Sequence, residues 1–338
     1  MPRNTEDRAS GPRRKGELFF WAACLLLAVN VLLMIKLQSQ MKAMNGTLNQ
    51  VLSRIAVTLG DQDYVIPDGE GGGTSDNGSH SSLQTTSQEK EMDYVELCGL
   101  TEVEKPVKRT REQSLERLRE LAEDSELIAE VYQNNTLYSD RMLKSLANNP
   151  EMADFMVNLP TADTAPTGKG LTDSEKEQDF PLLLQWDPRW GYVEYGVSNI
   201  GLSGCGPTCV SMVLCYLLED ETPTPDVIGD YGMKKGYYVK GSGTAWALME
   251  KAPEAYGVKV EQPRTSEKTM KKALDEEKVI VCSVKAGDFT DGGHFVVIYG
   301  YDSEGFLVND PNCVARSREK WSYETLVKQI KHIWVYSS

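Results

Sequence analysis

Cys205 stands between two glycines and is followed by a proline, in the stretch LSGCGPTCVSMVLCYL. Proline favours the first turn of a helix, so Pro207 predicts a helix over Cys205–Glu219 with Cys205 at or beside its N-cap. The unpaired N–H groups and the dipole at a helix N-terminus stabilise a thiolate and lower the pKa of the thiol. Gly204 and Gly206 leave room for a substrate backbone to approach the sulfur. We therefore interpret Cys205 as a nucleophile of acyl-transfer chemistry.

A thiolate nucleophile needs a general base, and His294 is the best placed of the three histidines. It follows the loop Asp291–Gly293 and begins an apolar strand, so we expect it to face a cleft. The turn Asp302–Gly305 makes this strand and the next one a hairpin, which brings His294 near the end of the second strand. Asp310 ends that strand and would orient the imidazole as the third member of a triad. Taken alone, Asp310 before Pro311 is a common turn dipeptide.

Three other cysteines of the C-terminal half fit a packing role better than a chemical one. Cys209 and Cys215 lie within the predicted helix, and Cys282 lies in an apolar strand, so we interpret all three as core residues. A metal site formed by Cys205, Cys209 and His294 is an alternative, but Cys-x-x-x-Cys is a poor zinc signature. The sequence therefore predicts no metal and no cofactor.

Residues 180–338 have the length of one domain, in which helical patterns come first and strands follow. Proline at the first helical position predicts a helix from Pro225. Further helices are predicted over Thr244–Lys251 and Ser266–Glu276. β-Branched and aromatic runs predict four strands: Val279–Val284, His294–Tyr301, Phe306–Asp310 and His332–Ser337. Helices followed by strands indicate a segregated α+β fold with an antiparallel sheet.

The N-terminal region contains an uncharged apolar run from Leu18 to Ile35. At about 1.5 Å per residue, such a helix is long enough to cross a bilayer. Basic residues are more frequent just before this run than after it, which predicts a cytoplasmic tail over 1–16 and a transmembrane helix over 17–37. A cleaved signal peptide is the alternative, but no small-x-small cleavage site lies near 36–44. We expect a single-pass protein of the cell membrane with an extracellular C-terminal domain.

Between the predicted anchor and the C-terminal domain, the composition changes several times. Apolar residues at three-four spacing, then Gly- and Ser-rich stretches, then leucines at helical spacing delimit the regions. Thr110 followed by Gln113 resembles a capping box at the start of a helix, and Pro150 predicts the start of another. The predicted organisation is a helical stalk at 38–60, a flexible linker at 61–93, a helical spacer at 94–160, a second linker at 161–179 and the C-terminal domain at 180–338.

The charge of the chain argues against one large class of partners. Its 338 residues carry a formal net charge of −14, whereas general nucleic-acid binding requires a basic face. The stretch PTGKG lacks the glycine spacing and the Ser/Thr of a phosphate-binding loop. We predict neither a nucleic-acid nor a nucleotide partner.

Three motifs, GCGPTCVSMVL, GHFVVIYGYD and VNDP, resemble in this order those of the C39-like cysteine peptidases. The resemblance covers residues from about Phe180 to the C-terminus and implies a papain-like fold. It implies that Cys205, His294 and Asp310 are the nucleophile, the base and the orienting acid. A glutamine before the cysteine contributes a donor to the oxyanion hole in this family, and Gln185 is the matching residue. The implied partner is a peptide or protein substrate, hydrolysed through a thioester.

Four aromatic residues of the C-terminal domain either line a substrate groove or pack in the core: Trp186, Trp190, Tyr192 and Tyr238. We predict substrate binding at four positions: Trp186, Gly204, Gly206 and Gly293. Two other classes of function stay open. One is a Cys-His amidase or acyltransferase acting on the cell envelope, and the other is a non-catalytic scaffold with the same fold.

Overall fold

The computed structural model describes residues 102–241 and 243–338. The predicted cytoplasmic tail, transmembrane helix, stalk and first linker all lie outside these residues. Within the described ranges, no helix combines the length and apolar character needed to cross a bilayer.

Four α-helices form the first part of the described chain: α1 at Arg111–Leu121, α2 at Glu126–Gln133, α3 at Asp140–Asn148 and α4 at Ala153–Asn158. The predicted capping box is confirmed, since the Thr110 side chain accepts from the Gln113 backbone and the Gln113 side chain accepts from the Thr110 N–H. Pro150 begins a 3-10 turn at Pro150–Met152, because its missing N–H is tolerated at the first position. Further 3-10 turns lie at Asn135–Leu137 and Leu159–Thr161.

The remainder of the described chain contains both helices and strands. The helices are α5 at Asp173–Lys176, α6 at Ile200–Ser203, α7 at Cys205–Leu218, α8 at Pro225–Lys234, α9 at Ala247–Ala255, α10 at Glu267–Asp275, α11 at Val314–Arg318 and α12 at Tyr323–Val327. The strands are β1 at Glu194–Tyr195, β2 at Ser198–Asn199, β3 at Tyr238–Val239, β4 at Gly243–Thr244, β5 at Lys259–Glu261, β6 at Val279–Lys285, β7 at Gly293–Tyr301, β8 at Phe306–Asn309, β9 at Lys320–Trp321 and β10 at Ile330–Ser337.

The main sheet contains six strands in the order β5-β10-β6-β7-β8-β9, and every neighbouring pair is antiparallel. This confirms the predicted antiparallel sheet. Successive side chains of a strand point to opposite faces. Accordingly, Val281 and Val297 pack in the core that contains α7, whereas Cys282 and Ile298 pack in a second core with Met270 of α10. The sheet is therefore covered by helices on both faces.

The long helix α7 is the central element of the first core. Ten of its residues, from Gly206 to Cys215, are buried, and it packs against β6 and β7. A helix that is apolar on all sides is typical of a protein core. Its C-cap is Glu219, whose φ of 50° is left-handed and ends the helix. Because α7 is enclosed, its first residue is held at a fixed place beside the sheet.

The segment before the C-terminal domain does not fold around a core of its own. Leu118, Leu143 and Phe155 lie in the same apolar core as Trp190 and Val213. We infer that α1–α4 and the following helices are stabilised together, because burial of shared apolar surface is the main favourable term in folding. The predicted division between a spacer and a peptidase domain stays a prediction.

The predicted linker at 161–179 has two different halves. Residues 163–169 are exposed and contain no helix or strand. In the second half, Leu171 and Glu175 are buried, and Glu175 forms a two-point ion pair with Arg189, with N–O distances of 2.6 and 2.8 Å. Arg189 also pairs with Asp187 at 2.7 Å. This buried network fixes the second half of the segment to the C-terminal domain.

Candidate active site

Cys205 is the first residue of α7, and Gly204 is the N-cap. The cap makes no side-chain hydrogen bond, so the N–H groups of the first helical turn lack the usual capping oxygen. The Cys205 side chain is half-buried and lines a cleft of about 890 Å³. The positive end of a helix dipole stabilises a negative charge at this position.

His294 is the second residue of β7 and pairs in the sheet with Val284 of β6. Its Nε2 lies 2.7 Å from Oδ1 of Asp310, which follows the last residue of β8. Nδ1 is therefore the ring nitrogen left for the Cys205 sulfur, and the charge of the His294 ring lowers the pKa of that thiol. His294 lies beside Asp310, as the predicted hairpin implies, and Cys205 lines the same cleft as His294.

Asp310 has no exposed surface; one oxygen of its carboxylate is hydrogen-bonded, and the other has a cation nearby but no hydrogen-bond partner among the described residues. Oδ1 accepts from the Asn312 N–H at 2.9 Å as well as from His294. Oδ2 lies 3.5 Å from Nη1 of Arg316, a residue of α11 that is also buried. Arg316 is a second cation beside the carboxylate, and no local sequence pattern indicates this role.

The three groups of the site shift one another's pKa values. Burial raises the pKa of the Cys205 thiol, but the His294 ring and the N–H groups of Phe295 and Gly206 outweigh burial, so the pKa lies below its usual value. Burial lowers the pKa of His294, whereas Asp310 and Cys205 raise it, to about 10. Burial also opposes ionisation of Asp310, but the charges of His294 and Arg316 lower its pKa. These shifts favour a thiolate–imidazolium pair, the reactive form of a cysteine nucleophile.

Gln185 lines the same cleft as Cys205 and His294. Its backbone N–H donates to the Pro311 carbonyl at 2.7 Å, and its Nε2 donates to the Gly201 carbonyl at 2.7 Å. These two bonds hold a nearly buried amide beside the turn that precedes Cys205. An Nε2 group has two N–H bonds, so one remains after the bond to Gly201.

The four residues predicted to bind substrate lie in different places. Gly293 lines the cleft. Trp186 is buried, and its Nε1 donates to the Asn312 carbonyl at 2.9 Å. An added Cβ on Gly204 would lie 2.6 Å from the Ile200 carbonyl oxygen, and one on Gly206 would lie 2.7 Å from Cγ2 of Thr244. Close packing therefore requires both of these glycines, and a role in substrate binding stays a prediction for all four residues.

One side of the cleft comes from the helical segment, which was predicted to be a spacer. The contributing residues include Pro106, Arg141, Lys144 and Asn148. Arg141 donates to the Leu202 carbonyl at 2.8 Å. The two cations are three residues apart on α3 and so share a helical face, which is the one sequence sign of this role. A second cavity, of about 390 Å³, contains none of the Cys–His–Asp residues.

His332, the other described histidine, is not part of this arrangement. Its ring stacks on Trp246, and its Nε2 lies 2.9 Å from Oε1 of Gln262. The cysteines interpreted as core residues, Cys209, Cys215 and Cys282, are all buried. Burial raises the pKa of each of these thiols, and that of Cys215 reaches about 12. Cys205 thus differs in its surroundings from the other described cysteines.

Comparisons with known proteins give a family for this part of the chain. Among the curated proteins, none matches. A solved C39-like peptidase from Bacillus anthracis is 17% identical, with 40% of this chain and 89% of that chain covered and a TM-score of 0.31. The peptidase domain of Streptococcus ComA, a bifunctional ABC transporter of a quorum-sensing pathway, is 15% identical, with 40% and 91% covered and a TM-score of 0.33. The profile of the Peptidase_C39 like family matches residues 177–338. This C-terminal part of the chain belongs to the C39-like peptidase family.

Proposed function

We propose that the C-terminal domain hydrolyses peptide bonds with Cys205 as nucleophile, His294 as general acid and base, and Asp310 as the group that orients His294. The observation that carries the proposal is the 2.7 Å contact between His294 and a fully buried Asp310, beside a cysteine at a helix N-terminus. This arrangement holds Nε2 of His294 against Asp310 and leaves Nδ1 for the Cys205 sulfur. The papain-like assignment of the fold rests on the motif resemblance and is part of the proposal.

In the first half of the reaction, the Cys205 thiolate attacks the carbonyl carbon of the scissile peptide bond. A carbon–sulfur bond forms, and the carbonyl electrons move to oxygen. The tetrahedral intermediate collapses when the imidazolium of His294 gives its Nδ1 proton to the leaving amine. The carbon–nitrogen bond breaks, the amine leaves, and a thioester remains on Cys205.

The second half restores the enzyme. Neutral His294 takes a proton from water through Nδ1, and the hydroxide attacks the thioester carbon. The carbon–sulfur bond breaks, a carboxylic acid leaves, and the thiolate–imidazolium pair forms again. Throughout both halves, Asp310 accepts from Nε2 and stabilises the charged ring, as the acid of a triad does.

The negative oxygen of each intermediate needs donors. We assign this role to the backbone N–H of Cys205 and to one N–H of the Gln185 side-chain amide. This is the Nε2 hydrogen that does not bond to the Gly201 carbonyl. The position of Cys205 at the start of α7 supports the first assignment, because the first N–H groups of a helix have no partner within it. Removal of one such donor in other acyl-transfer enzymes costs about 10²–10³ in kcat.

The test is cleavage of a mixed peptide library by the full-length chain, held in a non-ionic detergent, with mass spectrometry of the products. We expect new peptide ends with the wild-type chain and none with Cys205→Ala or His294→Ala. Ser283→Ala is a matched control, because Ser283 also lines the cleft but has no part in the proposed chemistry. Equal cleavage by the wild type and Cys205→Ala would refute the proposal, and so would the absence of cleavage in every sample.

We also propose that the chain is anchored in the cell membrane and that the peptidase domain lies outside the cell. The uncharged run at 18–35 and the basic residues before it support this topology. Protease added to intact cells should remove residues 93–338 and spare the N-terminal tail. Full protection of the C-terminal domain, with digestion after lysis, would refute the orientation.

A further inference from the structure

The cleft around Cys205 has a charge opposite to that of the chain. Four cationic residues line it: Arg141, Lys144, Arg316 and Lys331. Asp291 is the one acidic residue in this lining. The whole chain, in contrast, has a formal net charge of −14. The electrostatic field of a positively charged cleft in a negatively charged protein favours negatively charged ligands.

Most charges near the reactive groups cancel in pairs. Lys144 forms an ion pair with Asp291 at 2.7 Å. Arg316 lies against Asp310, and the thiolate of Cys205 is balanced by the imidazolium in the proposed active form. The charges of Arg141 and Lys331 are not compensated by such a pair. No ion pair to either of these two cations occurs within residues 102–241 and 243–338.

Arg141 is held in place without being neutralised. Its Nη2 donates to the Leu202 carbonyl at 2.8 Å and to Oγ of Ser203 at 3.0 Å. Ser203 lies two residues before Cys205, so the guanidinium is fixed beside the nucleophile. The side chain is exposed, and a guanidinium has five N–H bonds. Several donors therefore remain for a ligand.

Lys331 is fixed by an aromatic contact instead of an acid. Its Nζ lies 5.5 Å from the ring centroid of Trp246, which itself lines the cleft and is 42% exposed. A cation–π contact orients an ammonium group and leaves its full charge. The indole and the ammonium together form a surface suited to an acidic peptide segment.

We propose that this cleft selects peptide substrates with aspartate or glutamate side chains near the scissile bond, and that Arg141 and Lys331 bind them. The inference rests on the proposed peptidase function and adds the substrate class. It also gives the helical segment a role, because Arg141 belongs to α3. The electrostatic gain in a cleft of this kind is roughly 10- to 10³-fold in association rate and falls as ionic strength rises.

The experiment uses three pools of peptides with blocked termini, so that neither terminus contributes a charge. The pools are identical except that the fixed positions hold Glu, Gln or Lys. For the full-length chain, we expect kcat/KM for the Glu pool to exceed that for the Gln pool by about tenfold at low salt and by less at high salt. Arg141→Gln and Lys331→Gln should each reduce this ratio, and Arg141→Lys should retain most of it.

Matched controls distinguish an effect of the cleft cations from an effect of the overall charge of the chain. Arg119→Gln and Lys268→Gln remove one exposed cation each, from α1 and from α10, and neither residue lines the cleft. Both should keep the wild-type ratio. Equal rates for the Glu and Gln pools would overturn the substrate class and leave the peptidase function standing, as would an unchanged ratio in the Arg141→Gln, Lys331→Gln double variant.

If no pool is cleaved, the peptidase proposal fails, and the preference of the cleft for acidic peptides is tested by binding. Dissociation constants are then measured for the same three pools, carrying a neutral dye, against Cys205→Ser full-length chain. Tighter binding of the Glu pool, lost in the double variant, would support an acidic ligand for this cleft. Equal binding of the three pools would refute it.

Discussion

His294 Nε2 lies 2.7 Å from Oδ1 of Asp310, and the other oxygen of that carboxylate lies 3.5 Å from Arg316. Two neighbouring cations therefore keep the fully buried carboxylate of Asp310 ionised. A carboxylate that is already paired can accept from a histidine and orient it without taking its proton. This relationship determines which ring nitrogen faces Cys205, and the first two predictions depend on it.

Cys205 should be the most reactive of the described cysteines. We expect iodoacetamide to label it at mildly acidic pH, because His294 and the helix N-terminus lower the pKa of its thiol. The buried cysteines Cys209, Cys282 and Cys313 should react only after unfolding, since burial raises their pKa values. Peptide mapping of the labelled chain measures this. An inert Cys205 in the folded chain would contradict the assignment of the nucleophile.

Asp310→Asn should narrow the pH range of activity. The active pair forms above the lowered pKa of Cys205 and is lost as the pH rises through the pKa of His294, which is about 10. Asparagine keeps an oxygen for the hydrogen bond but removes the charge that raises the pKa of His294. The alkaline limb of the kcat/KM profile should therefore move to lower pH, and the maximum should fall by roughly 10²–10⁴-fold. An unchanged alkaline limb would show that Asp310 does not stabilise the imidazolium.

Local sequence signals predicted the parts of the site that depend on neighbours in sequence. Cys205 at the start of a helix follows from the Gly-Cys-Gly-Pro pattern, and the approach of His294 to Asp310 follows from a hairpin with a short turn. Strands β6, β7, β8 and β10 were predicted with ends that differ by at most two residues. The strand patterns repeat over several residues, so they can be recognised in a single sequence.

Other parts depend on contacts between distant residues and have no local pattern. Arg141 meets the Leu202 carbonyl 61 positions away, a contact that its three-residue spacing from Lys144 does not reveal. Arg316 reaches Asp310 through α11, a helix of five residues without a clear period. Strand β5 has only three residues and depends on its pairing with β10. These features arise from tertiary packing, which a single sequence shows poorly.

Arg189→Met should destabilise the fold strongly. The arginine is 7% exposed and pairs with two buried carboxylates, Glu175 and Asp187. Breaking a buried ion pair by removal of one partner costs about 3–5 kcal/mol, because an uncompensated charge stays buried. Denaturant unfolding measures the loss. Arg119→Met is the control, since an exposed ion pair on a helix contributes little to stability.

The carboxylates give a second check on the same network. Adding Glu175→Gln to Arg189→Met should recover part of the lost stability, because it removes one of the unpaired charges. A double variant as unstable as the sum of the two single variants would show that the ion pair is not what stabilises this region.

Gly206→Ala should also lower the stability of the fold. Its Cβ would lie 2.7 Å from Cγ2 of Thr244 and 2.8 Å from Oγ1, and overpacking of this kind costs about 1–3 kcal/mol. Thr244→Gly should restore part of the loss, and a double-mutant cycle by chemical unfolding measures the coupling. Gly292→Ala is the control, because no atom lies within 4 Å of its added Cβ. Additive effects of the two changes would refute the steric account.

Limited proteolysis should divide the segment at 161–179 into a labile and a protected half. Trypsin should cut first after Lys169, which follows an exposed stretch without helix or strand. Lys176 should resist, because the buried pair of Glu175 with Arg189 holds that turn and cleavage requires local opening. A time course with mass spectrometry gives the two rates, and in Arg189→Met the cut after Lys176 should accelerate.

After cleavage at Lys169, the two fragments should elute together in gel filtration, since Leu143 and Phe155 share a core with Val213. Separation of the fragments under native conditions would show that the helical segment folds independently.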